Sequence, residues 1–193
     1  DVASALPLVG VSAIQAIEDT LNLQKGQKIL IHGGAGGIGH LAVQLAKSLG
    51  AYVAATAKTN DIEFVKEMGA DEVIDYTKEK FEEKIKDFDA VFDSVGGEVV
   101  EKSFQVLKKG GSIASMNGEP SAELAEKFGV KAYGVMTVTT TDRLTKLARL
   151  VDDGKIKVNV DKIFEFGKAK EAFEYQEKSH PHGKVVIKIS TTD

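Results

Sequence analysis

Short apolar runs alternate along this chain with stretches in which apolar residues recur at helical spacing. The runs are continuous rather than strictly alternating, which is typical of strands covered on both faces. They predict strands at 27–32, 51–56, 73–74, 89–93, 112–116 and 130–138. The periodic stretches predict helices at 38–49, 61–68, 98–108, 122–128 and 142–151. Such an alternation predicts an α/β fold, a doubly wound parallel sheet of about six strands.

The two ends of the chain depart from this alternation. Residues 1–20 hold a short apolar segment followed by a predicted helix near 12–20. Beyond residue 153, strand-like runs at 160–166 and 184–189 flank a predicted helix at 168–178. We therefore expect a central α/β unit with terminal segments that belong to a second unit.

Composition narrows the class of protein. The chain has 193 residues, a formal net charge of −4 and no cysteine, so disulfides and thiolate metal sites are excluded. Its 42% hydrophobic and 28% charged residues are ordinary for a globular protein and exclude disorder. No apolar run approaches the ~18 residues of a membrane span, no basic segment opens the chain, and no basic patch indicates nucleic acid. We expect a cytoplasmic protein whose partners are neither membranes nor nucleic acids.

A glycine-rich loop follows the first predicted strand and opens the first long helix. Gly34, Gly36 and Gly39 form the pattern G-x-G-x-x-G, with Gly37 and Ile38 inside it. In this context the first glycine permits a tight turn, the second lets a pyrophosphate approach the backbone, and the third lets the helix pack on the strand. Unpaired N–H groups at the helix start bind phosphates. The pattern therefore predicts a dinucleotide site in a Rossmann unit. A P-loop is excluded, because no Gly-Lys-Ser/Thr follows.

The residues after the second strand indicate which dinucleotide binds. A site that prefers NAD usually carries an acid about 20 residues beyond the loop, which binds the ribose 2′-OH. Here the nearest acid, Asp61, lies in the first turn of the next helix, where the helix dipole accounts for it. Lys58 as a point charge, with Thr59 and Asn60 as donors, suits a 2′-phosphate. The stretch favours NADP(H) over NAD(H), and the other interpretation of Lys58 is a solvated loop lysine.

Several longer segments resemble a known family. They are 5–13 (ALPLVGVSA), 31–47 (IHGGAGGIGHLAVQLAK), 69–76 (GADEVIDY), 93–97 (DSVGG), 107–111 (LKKGG) and 182–186 (HGKVV). Together they span essentially the whole chain and resemble the medium-chain dehydrogenase/reductases. The branch they resemble is the zinc-lacking one that contains quinone oxidoreductases.

The resemblance implies roles for residues outside the glycine loop. Tyr76 is expected beside the adenosine 2′-phosphate. Residues expected along the adenine and ribose are Ser94, Val95 and Gly96. Residues expected at the nicotinamide end are Met116, Asn117, Gly118, Val135, Met136 and Ser12, the last standing where relatives often carry a threonine that faces the ring. The other interpretation of Val135 and Met136 is strand core. No residue of the chain is assigned a catalytic role.

The resemblance also carries expectations for the whole protein. Family members have an N-terminal, barrel-like catalytic domain, and this chain begins, at Asp1, where that domain ends. We therefore expect a hinge segment and helix at 1–20, a Rossmann domain at 21–153, and strands and a helix of the catalytic domain at 154–193. The resemblance further implies a small-molecule quinone or carbonyl substrate, no zinc, and a homodimer paired through the strand at 130–138.

Other constellations are weaker. His180 and His182 lie too close together to chelate a metal from one helix, and no carboxylate cluster accompanies them, so a solvated loop is expected. His32 is expected to pack in the core rather than to contact the cofactor. The mixed-sign run at 78–86 predicts an exposed helix face. No Gly-x-Ser-x-Gly elbow supports serine hydrolysis.

The function expected from these features is NADP(H)-dependent hydride transfer between nicotinamide and a quinone or α,β-unsaturated carbonyl, in which the cofactor supplies the chemistry. Two alternatives stay open at this point. One is a non-catalytic NADP(H)-binding module or redox sensor. The other is an enoyl-reductase unit of a larger synthase.

Overall fold

The computed structural model describes residues 1–189 and contains a six-stranded sheet. Its strands are β1 (Lys28–Ile31), β2 (Tyr52–Ala57), β3 (Glu72–Asp75), β4 (Phe88–Asp93), β5 (Leu107–Ser115) and β6 (Lys131–Gly134). They are ordered β3-β2-β1-β4-β5-β6, and each neighbouring pair is parallel. The order reverses between β1 and β4, the position at which such sheets form a crevice outside their carboxyl ends. The predicted doubly wound α/β fold is confirmed.

Helices cover the sheet and form most of the connections. They are α1 (Val2–Ala5), α2 (Pro7–Ile14), α3 (Gly39–Ser48), α4 (Ile62–Glu67), α5 (Phe81–Lys84), α6 (Glu98–Ser103), α7 (Ala122–Phe128), α8 (Thr141–Asp152) and α9 (Ala169–Lys178). A π-helical segment, Gln15–Thr20, continues α2, and a 3₁₀ turn, Thr59–Asp61, precedes α4. The predicted helix near 12–20 therefore starts earlier, at Pro7, and changes its hydrogen-bond pattern at Gln15.

An apolar core covers each face of the sheet. In β1, Ile29 and Ile31 belong to the core that α2, α3 and α8 cover, whereas Leu30 belongs to the opposite core with Phe81 and Phe104. The three β1 residues are completely buried. This burial explains the continuous apolar run in the sequence, because a strand covered on both faces has no polar side.

Two predicted elements end several residues earlier in the structure, and the strand predicted at 112–116 begins earlier, at Leu107. The helix predicted at 98–108 ends at Ser103, because Phe104 and Val106 turn into the core and lead directly into β5. The strand predicted at 130–138 ends at Gly134. Beyond that point the backbone of Met136 and Val138 bonds to the side chain of Gln15 instead of to a neighbouring strand.

The charged run at 78–86 forms only one helical turn, α5. Phe81 within it is buried and meets the ring of His32 edge-on, with ring centroids 4.6 Å apart. The charged residues of the run are mostly exposed, as predicted, but the helix is shorter than the run, and the buried Phe81 and Ile85 anchor the segment to the core.

A smaller C-terminal unit lies against the start of α3. Its strands β7 (Val160–Glu165) and β8 (Lys184–Lys188) form a parallel pair, and α9 connects them. The side chain of Gln44 donates to the Lys157 carbonyl at 2.9 Å and accepts from its N–H at 2.8 Å. The Gly183 N–H donates to the Ala35 carbonyl at 2.9 Å. These bonds hold the unit against the glycine-rich loop.

The domain boundaries proposed from the sequence stay a prediction, and residues 190–193 lie outside the described part of the chain. Within residues 1–189, no helix has the length and apolar character needed to cross a membrane.

Candidate cofactor site

A cavity of about 440 Å³ lies outside the carboxyl ends of β1, β2 and β4. Its walls come from the glycine-rich loop, the end of β2, the turn after β4 and the C-terminal unit. The lining residues that the sequence predicted are Gly36, Gly37, Ile38, Lys58, Tyr76, Ser94 and Val95. The cavity therefore joins predicted residues from four separate stretches of the chain at the point where the strand order reverses.

The glycines of the loop divide into packing and open positions. Gly33 takes the positive φ of +71° that makes the turn. Gly34 lies so close to β2 and α4 that a Cβ on it would be 3.0 Å from both Ala55 and Val65. A Cβ on Gly39 would collide with the Gly33 carbonyl, so the start of α3 lies directly on the loop. Gly34 and Gly39 thus allow the backbone to pack and do not line the cavity, and the turn depends on Gly33 rather than on Gly34.

Gly36 and Gly37 face the cavity. A Cβ on Gly36 would approach only the Gly33 carbonyl, at 3.4 Å. Within residues 1–189 the N–H groups of Gly37 and Ile38 donate to no protein acceptor, and no side chain caps the start of α3. Free N–H groups at a helix N-terminus form an anion site.

Lys58 and Tyr76 lie at the end of the cavity formed by β2 and β3. Thr59 does not line the cavity, because its hydroxyl donates to Asp75 at 2.5 Å. Hydrogen bonds from the hydroxyls of Thr59 and Thr77 hold the pKa of the Asp75 carboxyl well below its usual range. Thr59 therefore positions the Lys58 turn and is not available as the predicted donor to a ligand.

A buried carboxylate shapes the turn after β4. Asp93 is completely buried and accepts from the N–H groups of Val95 and Gly96, each at 3.1 Å. It also accepts from the Ser115 hydroxyl at 2.9 Å. Gly96 has a φ of +82°, and a Cβ on it would lie 2.9 Å from the Asn117 Cβ. The turn thus presents Ser94 and Val95 to the cavity, while Gly96 packs behind them.

The predicted nicotinamide residues lie around a second cavity of about 390 Å³. It is lined by Met116, Gly118, Val135 and Met136, among others. Met136 is 85% exposed, which excludes its interpretation as strand core, whereas Val135 is buried.

Two residues predicted for the nicotinamide end, Ser12 and Asn117, do not line this cavity. Ser12 is buried in α2, where its hydroxyl donates to the Leu8 carbonyl at 2.8 Å and lies 2.6 Å from the Thr137 hydroxyl. Asn117 packs against Gly96 instead. Ser12 therefore supports the Thr137 segment from behind rather than facing a ligand.

His32 is a core residue. Its ring lies 2.9 Å from the Ser103 hydroxyl and 3.2 Å from the Thr56 hydroxyl. Burial lowers the pKa of His32 to about 4, against the opposing effect of the Asp93 charge. The ring is therefore neutral at pH 7, and it borders an apolar cavity of about 380 Å³ next to Tyr76.

The sequence analysis missed the contribution of the C-terminal unit. Gln176, His180, Pro181, Gly183 and Lys184 all line the main cavity. The ring of His182 stacks on Phe64 with centroids 4.5 Å apart, and its Nε2 lies 2.9 Å from the Asp61 carboxylate. No local sequence pattern predicts these contacts, since they join segments that are far apart in the sequence. Asp61 is held by this histidine and lines the cavity, so the helix dipole alone does not account for it.

Metal ligands do not cluster in the part of the chain that the structure describes. Among residues 1–189, no group of three or more histidine, aspartate or glutamate side chains is arranged to hold a metal ion.

Comparison with known proteins identifies the family of this chain. A family model described as zinc-binding dehydrogenase matches residues 68–187. The chain is 41% identical to a 2-methylene-furan-3-one reductase of Solanum lycopersicum and 38% identical to a chloroplastic NADPH-dependent alkenal/one oxidoreductase of Arabidopsis thaliana. Each alignment covers 96% of this chain and 46% of the relative.

A solved structure agrees with the sequence relatives. The quinone oxidoreductase from Coxiella burnetii superposes with a TM-score of 0.91 at 36% identity, covering 97% of this chain and 60% of that one. The chain thus spans about half the length of the curated relatives it matches. Since the family model covers more than half of the chain and the fold agrees, the chain belongs to the zinc-binding dehydrogenases of the medium-chain dehydrogenase/reductase superfamily.

Proposed function

We propose that the chain is the NADP(H)-binding part of an oxidoreductase that transfers hydride between nicotinamide and a quinone or α,β-unsaturated carbonyl. The observation that carries the proposal is the main cavity, where the open backbone at Gly36 and the N–H groups of Gly37 and Ile38 share a space with Lys58 and Tyr76. The similarity to an alkenal/one oxidoreductase and to a quinone oxidoreductase supports the reaction class.

The residues of the loop fit a dinucleotide diphosphate. Gly36 leaves space in front of the backbone, whereas a Cβ on Gly37 would lie 3.1 Å from the Lys184 side chain. Within residues 1–189 the N–H groups of Gly37 and Ile38 donate to no protein acceptor. Their position at the start of α3 adds the positive end of the helix dipole. The diphosphate would therefore be bound by backbone groups.

Lys58 and Tyr76 support NADP(H) rather than NAD(H). They are a cation and a phenol at the end of β2 and β3, where Rossmann folds place the adenosine ribose. Burial, with the nearby charges of Asp61 and Asp75, raises the pKa of Tyr76, so its hydroxyl remains a hydrogen-bond donor at pH 7. A protonated phenol and an ammonium group are both suited to an anionic 2′-phosphate.

The cofactor supplies the hydride when it is bound. The chain's part at the reactive end is to shape the second cavity, through Met116, Gly118 and the exposed Met136. We assign no catalytic acid to this chain, and we propose that the reaction proceeds without zinc. Metal analysis of the purified active protein tests the last point, because about one equivalent of zinc per chain would contradict it.

Titration calorimetry with NADPH and NADH tests the cofactor assignment. We expect NADPH to bind more tightly than NADH, and Lys58→Glu to weaken NADPH by about a hundredfold, since it replaces an attraction to the 2′-phosphate by a repulsion. NADH affinity should change by less than about threefold. Lys127→Glu on α7, an exposed charge reversal outside the cavity, is the matched control. Equal losses for the two dinucleotides would remove Lys58 from its role.

Enzymatic turnover separates this function from a non-catalytic module. The parent protein should oxidise NADPH in the presence of a quinone or an enone. Binding without turnover of either class would favour the sensor alternative. A homodimer paired through β6 and a cytoplasmic location also stay predictions, and sedimentation analysis tests the first.

A further inference from the structure

A carboxylate and an imidazole meet at the wall of the main cavity. His182 Nε2 lies 2.9 Å from Asp61 Oδ1, and Asp61 itself lines the cavity. The Asp61 side chain is only 15% exposed, so water screens its charge incompletely. This pair has no part in the function proposed above, although Asp61 faces the same space as Lys58 and Tyr76.

The Asp61 charge has the wrong sign for the proposed ligand. A phosphate monoester carries about −1.5 to −2 charges at pH 7, and an unbalanced carboxylate in the same cavity repels it. The field of Asp61 reaches across the cavity, since it contributes to the raised pKa of Tyr76. A neighbouring carboxylate is more compatible with a ribose 2′-OH, for which it is an acceptor.

His182 is held in place independently of Asp61. Its N–H donates to Asp161 at 3.3 Å, and its carbonyl accepts from the Asn159 side chain at 2.7 Å. Its ring lies flat on Phe64, with an interplanar angle of 10°. Because backbone bonds and stacking fix the ring, the imidazole remains beside residue 61 when the carboxylate is changed.

We propose that Asp61 and His182 form a specificity-determining pair, in which the imidazole contacts the carboxylate at 2.9 Å and so reduces its repulsion of a 2′-phosphate. The inference rests on the proposed NADP(H) site and adds residues that decide between the two dinucleotides. Without the imidazole, the carboxylate stands unpaired at the cavity and the preference for the phosphorylated ligand decreases.

The other charged groups around His182 have partners of their own or line the cavity. On α4, Glu63 pairs with Lys66 at 2.9 Å. Asp161 on β7 accepts from the Tyr175 hydroxyl at 2.7 Å. His180 in the same turn and Lys184 on β8 line the cavity. Asp61 is the carboxylate that contacts the His182 ring.

Titration calorimetry of NADP⁺ and NAD⁺ at pH 7, with four forms of the chain, tests the pair. The forms are the unmodified chain, Asp61→Asn, His182→Phe and the double variant. Phenylalanine retains an aromatic ring against Phe64 without a ring nitrogen, and asparagine retains the shape of aspartate without its charge. Comparing forms at one pH cancels the titration of the 2′-phosphate itself, which has a pKa near 6.

His182→Phe should weaken NADP⁺ by about tenfold, because it leaves the Asp61 carboxylate unpaired at the cavity. NAD⁺ affinity should stay within about twofold. Asp61→Asn should restore NADP⁺ binding to the His182→Phe chain.

Equal losses for both dinucleotides, unchanged NADP⁺ affinity in His182→Phe, or no rescue by Asp61→Asn would each overturn the pair as a specificity determinant while leaving the NADP(H) site intact. An unmodified chain that binds neither dinucleotide would overturn the proposed function and the pair together.

Discussion

Replacing Asp93 tests whether one buried carboxylate organises the turn that faces the cofactor cavity. The side chain accepts from the N–H groups of Val95 and Gly96 and from the Ser115 hydroxyl. Asp93→Ala removes the acceptor for all of these donors. It also leaves a space in a part of the core from which water is excluded, since Asp93 and Ser115 are both buried.

The magnitude follows from the partners. Hydrogen bonds to a charged group contribute about 1.5–3 kcal/mol each, and a stranded buried donor costs about 1–3 kcal/mol. Water can reach the Val95 turn, because that side chain is 54% exposed, so its N–H is partly re-solvated. Ser115 lacks this compensation. We therefore expect Asp93→Ala to lower the free energy of unfolding by about 3–5 kcal/mol.

Urea unfolding followed by circular dichroism measures the loss, and calorimetry measures NADPH affinity under folding conditions. Asp93→Asn retains one acceptor oxygen and should lose about 1–2 kcal/mol. Asp153→Ala removes an exposed carboxylate that is 3.4 Å from Lys155 and should change stability by less than about 0.5 kcal/mol. A loss below about 1 kcal/mol in Asp93→Ala, with NADPH affinity unchanged, would refute the role given to this carboxylate.

Further predictions concern the loop, the core histidine and the Lys58 turn. Gly36→Ala should leave stability towards urea within about 1 kcal/mol of the unmodified chain. It should weaken NADPH binding at least about tenfold, because the methyl group enters the open space in front of the backbone. Unchanged NADPH affinity would contradict the binding of the diphosphate by this loop. Since the pKa of His32 is about 4 in the folded state and that of an unfolded histidine about 6.5, folding should lose about 2–3 kcal/mol as the pH falls from 7 to 4.5. His32→Gln should lack this part of the pH dependence in urea titrations, and an identical slope would contradict it. Thr59→Val should raise the pKa of Asp75 in a carboxyl NMR titration while NADPH affinity stays within about twofold. A hundredfold loss of NADPH affinity would show that Thr59 contacts the ligand.

The central unit could be predicted from the sequence because its signals are local. The apolar run of β1, the glycines after it and the periodic face of α3 are neighbours in the chain and determine one another's environment. Lys58 belongs to the same strand–helix–strand unit and comes directly after its second strand, β2. Each of these features results from short-range geometry, which a sequence displays without knowledge of the fold.

The remainder depends on contacts between distant segments. Nothing in the sequence around Asp61 indicates that His182 lies beside it, since the two are 121 positions apart. The bonds of Gln15 with the backbone after Gly134 likewise end β6 early through a contact across the molecule. Thr59 was a plausible ligand donor by type, but the tertiary fold placed a buried carboxylate beside it first. Such competition between partners becomes visible only once the chain is folded.

The wall that the C-terminal unit contributes to the cavity has a consequence for the nascent chain. Gln176 and Lys184, which complete the cavity, are translated roughly 140 residues after the glycine loop. At a synthesis rate of about 5–20 residues per second, the loop is made roughly 7–28 s before its opposite wall. A dinucleotide in the cell therefore meets both walls of the cavity only after the C-terminal unit has been made, and its binding then fastens that unit to a sheet synthesised before it.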